Sequence, residues 1–134
     1  MIVTKSEVLP LRTEHDIVYA RQAVRRVTVE AGFGIVDQTK MVTAASELAR
    51  NAVVHGLGGA MKWELLSDGG RKGLRLHFSD DGPGIANMEQ AMTDGWTSGT
   101  GMGLGLSGAR RLVNDFEIDS RPGAGTRVTI TRWK

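Results

Sequence analysis

Ser46-Glu47-Leu48-Ala49-Arg50-Asn51 closes a run in which Met41, Ala45, Leu48, Ala49 and Ala52 recur at helical spacing. The spacing predicts a helix capped near Asp37 and running to about His55, stopped by Gly56, Gly58 and Gly59. On such a helix the apolar stripe centres on Ala45 and Ala52. Glu47 and Asn51 fall almost opposite it, one turn apart, with Lys40 and Thr43 nearby. Taken alone, that polar face reads as a solvated surface. A second reading is chemical. The Asn51 amide supplies a hard oxygen of the kind Mg²⁺ prefers, and the Glu47 carboxylate, one turn earlier, can take a proton from an attacking hydroxyl. His55, at the helix end, serves equally well as a cap.

Outward from this helix, Met61 to Leu66 and Leu74 to Ser79 read as strands joined at Asp68-Gly69-Gly70. Directly after the second comes Asp80-Asp81-Gly82-Pro83-Gly84-Ile85. A carboxylate at a strand end, followed by two close glycines, lets a flat ligand approach backbone. Asp80 can accept a hydrogen bond from an exocyclic amine such as that of adenine. The same residues also make an ordinary turn. A long connection then leads to Gly99-Thr100-Gly101-Met102-Gly103-Leu104-Gly105-Leu106 and a helix from about Leu104 to Asn114. Alternating glycines before a helix leave amides open to a phosphate chain, at the positive end of the helix dipole. The segment lacks the Gly-Lys-Ser/Thr of a Walker loop, and it lacks the βαβ surroundings of a dinucleotide fingerprint.

The ends of the chain complete the order of elements. Glu7 to Arg12 reads as an edge strand bearing Pro10. Thr13 caps a helix whose apolar positions are Ile17, Ala20, Val24, Val27 and Ala31, ended by Gly32 and Gly34. Phe116 to Ser120 and Arg127 to Trp133 form a closing hairpin through Pro122-Gly123-Ala124-Gly125. The expected fold class is therefore α/β in the α+β sense: a two-layer sandwich with helices on one face of a mixed, mostly antiparallel sheet.

Composition narrows the function. The 134 residues suit one domain, without repeats or linkers. There is no cysteine, which excludes disulfides and thiol chemistry. A formal net charge of +2, with scattered basic residues, gives no nucleic-acid footprint. Met1 to Pro10 lacks the pattern of a signal peptide, and no apolar run reaches the roughly 20 residues that cross a bilayer. The expectation is a cytoplasmic protein with neither nucleic-acid nor membrane partners.

Four motifs stand in order: Glu47-x-x-x-Asn51, Asp80-x-Gly82-x-Gly84, Gly101-x-Gly103-x-Gly105 and Gly123-x-Gly125-Thr126. Together they resemble the N, G1, G2 and G3 boxes of the GHKL ATPase superfamily. Within it, several segments are similar to the anti-sigma-factor kinases of the RsbT type, the switch kinases of the bacterial stressosome. They are Thr13-Glu14-His15-Asp16-Ile17-Val18, Ala31-Gly32-Phe33-Gly34, Ser46 to Asn51, Arg71-Lys72-Gly73-Leu74 and Asp80 to Ile85.

The resemblance implies the Bergerat ATP-binding fold, one HATPase-type serine/threonine kinase domain over residues 1–134, and ATP with Mg²⁺. It implies phosphorylation of a STAS-domain antagonist, then binding of a PP2C-type phosphatase or another output enzyme. Asn51 would hold the metal and Asp80 would read the adenine amine. Gly82, Gly84 and Ile85 would line the base pocket, and Thr126 would support it. Gly99, Thr100, Gly101, Met102, Gly103, Leu104, Gly105 and Leu106 would wrap the phosphates. Glu47 would be the catalytic base.

One departure stands out: no Lys or Arg lies between Ile85 and Gly101. Charge on the phosphates must then be met by Mg²⁺, by the amides ahead of Leu104 or by Arg50. The segment from Asn87 to Thr100 is expected to act as a mobile lid, with Trp96 as its anchor, as a partner contact or as a satellite core contact. The competing function is a binding module, an anti-sigma factor that holds a sigma factor and uses ATP to tune its grip. A histidine kinase, which needs a helical acceptor segment, and a gyrase-like clamp, which needs transducer domains, fit less well.

Overall fold

The computed structural model describes residues 1–85, Glu89, Met92 and 105–134. The elements are β1 (Ile2–Leu11), α1 (Glu14–Glu30), α2 (Ile35–Arg50), β2 (Gly59–Asp68), β3 (Arg71–Asp80), α3 (Leu106–Arg111), β4 (Asp115–Ser120) and β5 (Thr126–Trp133). The five strands form one sheet in the order β1-β2-β3-β5-β4. Every pairing in it is antiparallel. Among the described residues the sheet is antiparallel throughout, and the expected two-layer α/β arrangement stands.

Strand alternation decides which face the helices cover. Met61, Trp63 and Leu65 of β2, Leu74, Leu76 and Phe78 of β3, and Val128 and Ile130 of β5 are buried with Ile17, Val24 and Val27 of α1 and Met41, Ala45 and Leu48 of α2. Full burial of each large side chain contributes roughly 1.5–3 kcal/mol, so this layer contact fixes the register. Asp80 and Thr126 are cross-strand partners and continue the same face beyond Phe78 and Val128. The sheet therefore presents both residues to the helical layer at one end.

Several boundaries differ from the sequence reading, and three of them have a distinct local reason. β1 starts at Ile2 rather than Glu7. Ile2 to Val8 are all exposed, so no inside–outside alternation marks the strand. α2 is capped by Gly34, not Asp37. Asp37 lies instead in the first turn, where it accepts a hydrogen bond from Arg132 Nη2 at 2.6 Å. α3 ends at Arg111 rather than Asn114. The Asn114 amide turns away to donate to Thr131 O, and its side-chain oxygen accepts from Trp133 N.

The N-terminus of α1 forms as expected. Thr13 Oγ1 accepts from Asp16 N, and Asp16 Oδ2 accepts from Thr13 N, a reciprocal capping box. Asp16 Oδ2 also accepts from Arg12 N, and these amides hold its carboxyl below the ordinary carboxylate range.

Candidate functional site

The site begins where α2 loses its regular winding. Asn51–His55 form a π-helical turn, closed by a bond from Gly56 N to Asn51 O at 2.9 Å. π-helical turns are rare and concentrate at functional positions. This one delivers the chain to Gly56 directly beneath Asp80. A Cβ on Gly56 would lie 2.5 Å from Asp80 Oδ2. A Cβ on Gly82 would in turn lie 2.6 Å from Gly56 Cα. The turn after α2 and the loop after β3 thus pack backbone on backbone around one carboxylate.

A second contact of this kind joins the Asp80–Ile85 loop to the β4–β5 turn. Gly84 (φ +75°) leaves no room for a side chain against Arg121 O, and Gly125 (φ +79°) leaves none against Asp80 O. Gly123 N donates to Pro83 O at 2.7 Å, and Ile85 N donates to Ser120 Oγ at 2.8 Å. Both glycines sit in the left-handed region that side chains disfavour. The spacing read as ligand access is here also the means of locking two loops together.

Between α2 and this end of the sheet lies a small cleft. It is lined by Leu48, Asn51, Ala52, Phe78, Asp80, Ile85, Leu106, Thr126 and Val128. Six walls are apolar, and the three polar side chains converge on the cavity. That is the composition of a site for a flat, mostly apolar ligand carrying a few polar groups. Asp80 Oδ1 accepts from Gly82 N at 3.0 Å. Burial pushes the Asp80 carboxyl above its ordinary range, against the opposing pull of the Gly82 and Thr126 amides and of Arg127; Asp81 adds to the rise. A desolvated acceptor of this kind is suited to a ligand N–H.

Of the residues singled out in the sequence, Asn51, Asp80, Ile85, Leu106 and Thr126 meet in this cleft. Gly82 and Gly84 stand behind its lining and shape the loop. Glu47 lies one turn before Asn51, with its carboxylate against the open side of Gly105; a Cβ there would lie 2.6 Å from Glu47 Oε2. Gly105 is the N-cap of α3, at φ +90°. Gly99, Thr100, Gly101, Met102, Gly103 and Leu104 lie outside the described residues, as do Trp96 and, apart from Glu89 and Met92, the expected lid. Arg50 is exposed at the last turn of α2. Among the described residues no group of three or more His, Asp or Glu side chains is arranged to hold a metal. Any metal here would depend on Asn51 and on oxygens of its ligand, a donor set that suits Mg²⁺.

The sequence reading missed Leu48, Ala52, Phe78 and Val128 as walls and Ser120 as a loop anchor. Phe78 lies two residues before Asp80 and Val128 two after Thr126, so the period of a strand was enough to find both. Nothing local marked Ser120.

Comparison with known proteins gives the class of this fold, an ATPase domain. The chain belongs to the histidine kinase-, DNA gyrase B- and HSP90-like ATPase family, which it matches over residues 36–134. Within that class it is 43% identical over 123 residues to the serine/threonine-protein kinase RsbT of Bacillus subtilis (strain 168), covering 92% of each chain. It is 29% identical over 125 residues to an anti-sigma F factor of Clostridium beijerinckii, covering 85% of this chain and 83% of the other. A solved structure of the RsbU and RsbW domains of Rv1364c from Mycobacterium tuberculosis matches 98% of this chain with a TM-score of 0.64 and 23% identity. This chain spans 33% of that longer one, and the likeness concerns the fold. Among the described residues no helix is long and apolar enough to cross a membrane.

Proposed function

We propose that the chain is a single-domain, ATP-dependent protein serine/threonine kinase of a bacterial partner-switching pathway. It would phosphorylate a STAS-domain antagonist and then bind an output enzyme such as a PP2C-type phosphatase. The observation that carries this reading is the convergence of Asp80, Asn51 and Thr126 in one apolar cleft, in a chain 43% identical to a named serine/threonine kinase.

In this reading the purine lies between Leu48 and Ala52 of α2 and Phe78, Ile85 and Val128 of the sheet side. Its amine donates to Asp80. The phosphates run toward Leu106 and Gly105, past Asn51, whose amide oxygen would hold Mg²⁺. Bound there, the ion would neutralise phosphate charge and orient the chain of phosphoryl groups. Glu47 sits at the α3 end of α2, where it accepts the proton of the substrate hydroxyl. The hydroxyl oxygen bonds to the γ-phosphorus, the bond to the β–γ bridging oxygen breaks, and ADP leaves. Most of the catalysis is positioning and charge stabilisation, as in phosphoryl transfer generally. Arg50, one turn beyond Glu47, is a candidate for a protein cation.

The test is to incubate the protein with γ-labelled ATP, Mg²⁺ and the STAS protein encoded beside it. Label on a serine or threonine supports the kinase. Label retained wholly as ATP, with a correctly folded substrate present, contradicts it. The second reading is an ATP-tuned anti-sigma factor, favoured by the 29% identity to an anti-sigma F factor. A pulldown that retains a sigma factor and no STAS protein would select it.

A further inference from the structure

Ser120 ends β4 and meets three groups at once. Its hydroxyl oxygen accepts from Ile85 N at 2.8 Å. It lies 3.2 Å from Gly125 O and 2.8 Å from Thr126 Oγ1. A serine hydroxyl has one proton to give and two lone pairs to receive with. Two arrangements are possible. If Ser120 donates to Thr126, the Gly125 carbonyl loses this donor, and its other contact, from Arg121 N, is long at 3.4 Å. If Ser120 donates to Gly125 O, it accepts from both Ile85 N–H and Thr126 O–H, and all three contacts are hydrogen bonds. The second arrangement satisfies one more partly buried group, and leaving such a group unpaired is unfavourable.

The consequence falls on the cleft. With its proton committed to Ser120, Thr126 offers the cavity only acceptor lone pairs. Asp80, its cross-strand partner, offers a carboxylate. A 6-amino purine supplies the N–H that such an end of the site needs. A 6-oxo purine replaces that N–H with an acceptor that finds no donor at this position, and leaves only its N1–H to meet the carboxylate. We propose that Ser120 is a positioning residue for base selectivity: it orients the Thr126 hydroxyl so that the pocket takes adenine and rejects 6-oxo purines. This rests on the adenine reading above.

The experiment compares Mg-ATP with Mg-ITP by titration calorimetry. The wild type should prefer ATP. In Ser120→Ala the Thr126 proton is freed to turn toward the 6-oxo group, and Ile85 N–H loses its acceptor. The ratio of ATP to ITP affinity should fall by about tenfold, the worth of one ordinary hydrogen bond. Ser120→Thr, which keeps the hydroxyl, should retain the wild-type ratio. In a Thr126→Val background, Ser120→Ala should leave the ratio unchanged, because the proton it redirects is gone. A purely structural serine would lower the melting temperature and weaken both nucleotides alike. Should the alanine variant not fold, Ser120→Cys, a poor acceptor, serves in its place with the same expected direction. A folded Ser120→Ala or Ser120→Cys with an unchanged ratio overturns the role of Ser120 and leaves the adenine site standing. Failure of the wild type to bind either nucleotide overturns the adenine site and this inference with it.

Discussion

The α-carbon of Gly56 closes the floor beneath the Asp80 carboxylate: a Cβ at residue 56 would stand 2.5 Å from Oδ2 and 2.7 Å from the aspartate's own Cβ. The absence of a side chain at the end of the π-helical turn is thus what gives the Asp80 carboxylate its position. Gly56→Ala should push Asp80 out of the cleft. Overpacking of this kind costs about 1–3 kcal/mol of stability. ATP affinity should fall by more than about tenfold, since a hydrogen bond to a charged acceptor contributes on the order of 1.5–3 kcal/mol. Thermal melts and calorimetry check both, and ATP affinity equal to wild type would show that the contact does not position Asp80.

Asp80→Asn separates folding from binding. Because burial raises the Asp80 pKa in the fold, its contribution to stability is fully present below its unfolded value and lost as pH rises through the raised one. Near pH 7 the ionised carboxylate is therefore a local liability. The ligand-free Asn variant should melt no lower than wild type at neutral pH, with the comparison shifting toward wild type in acid. ATP binding should be impaired relative to wild type at neutral pH, and the difference should narrow as pH falls through the raised pKa. In the wild type an amine donor favours the ionised form, so ATP affinity should decline as pH falls through the raised pKa. A pH-independent affinity across that range would contradict the assignment.

Glu47→Ala addresses transfer rather than binding. The carboxylate lies beside Gly105 and outside the lining of the cleft. ATP affinity should stay close to wild type while turnover falls about 10²–10⁴-fold, the usual worth of a positioned base. Wild-type phosphorylation rates in this variant would remove Glu47 from the mechanism.

Glu64 provides a control on the opposite face of the sheet. It is buried and accepts from Arg75 Nε at 2.8 Å and pairs with His77 Nε2 at 2.5 Å. Burial would raise its pKa, but those two partners outweigh it and leave the carboxyl below its ordinary range. Its stabilisation is therefore present above the unfolded pKa and lost as pH falls through the lowered one. Glu64→Gln should cost about 1.5–3 kcal/mol in urea denaturation and leave ATP affinity unchanged. A loss of ATP affinity in a fully folded variant would mean that the two faces of the sheet are coupled.

Much of this architecture was legible because burial has a period. Ile17 through Val27 mark α1 and Met41 through Ala52 mark α2, since one helical face meets the sheet. The two-residue turn at Gly69-Gly70, both at positive φ, was readable from its residues. Features that depend on distant partners were not. Asp37 looked like a cap because nothing local reveals Arg132, which lies 95 positions away in sequence. The π-helical turn at Asn51 has no composition of its own. Glycines 84 and 125 carried a signal with two physical sources, ligand approach and loop packing, and only their contacts with Arg121 O and Asp80 O display the second. Ser120 was invisible because one hydroxyl at a strand end is ordinary until Ile85, Gly125 and Thr126 are seen around it.

The most direct test of the account is calorimetric titration of the purified chain with ATP, with and without Mg²⁺. A carboxylate-lined purine cleft beside an amide-bearing helix predicts one saturable site per chain, tightened by magnesium and weakened in Asp80→Asn. Heats indistinguishable from dilution in both conditions, from protein with an intact thermal transition, would contradict it.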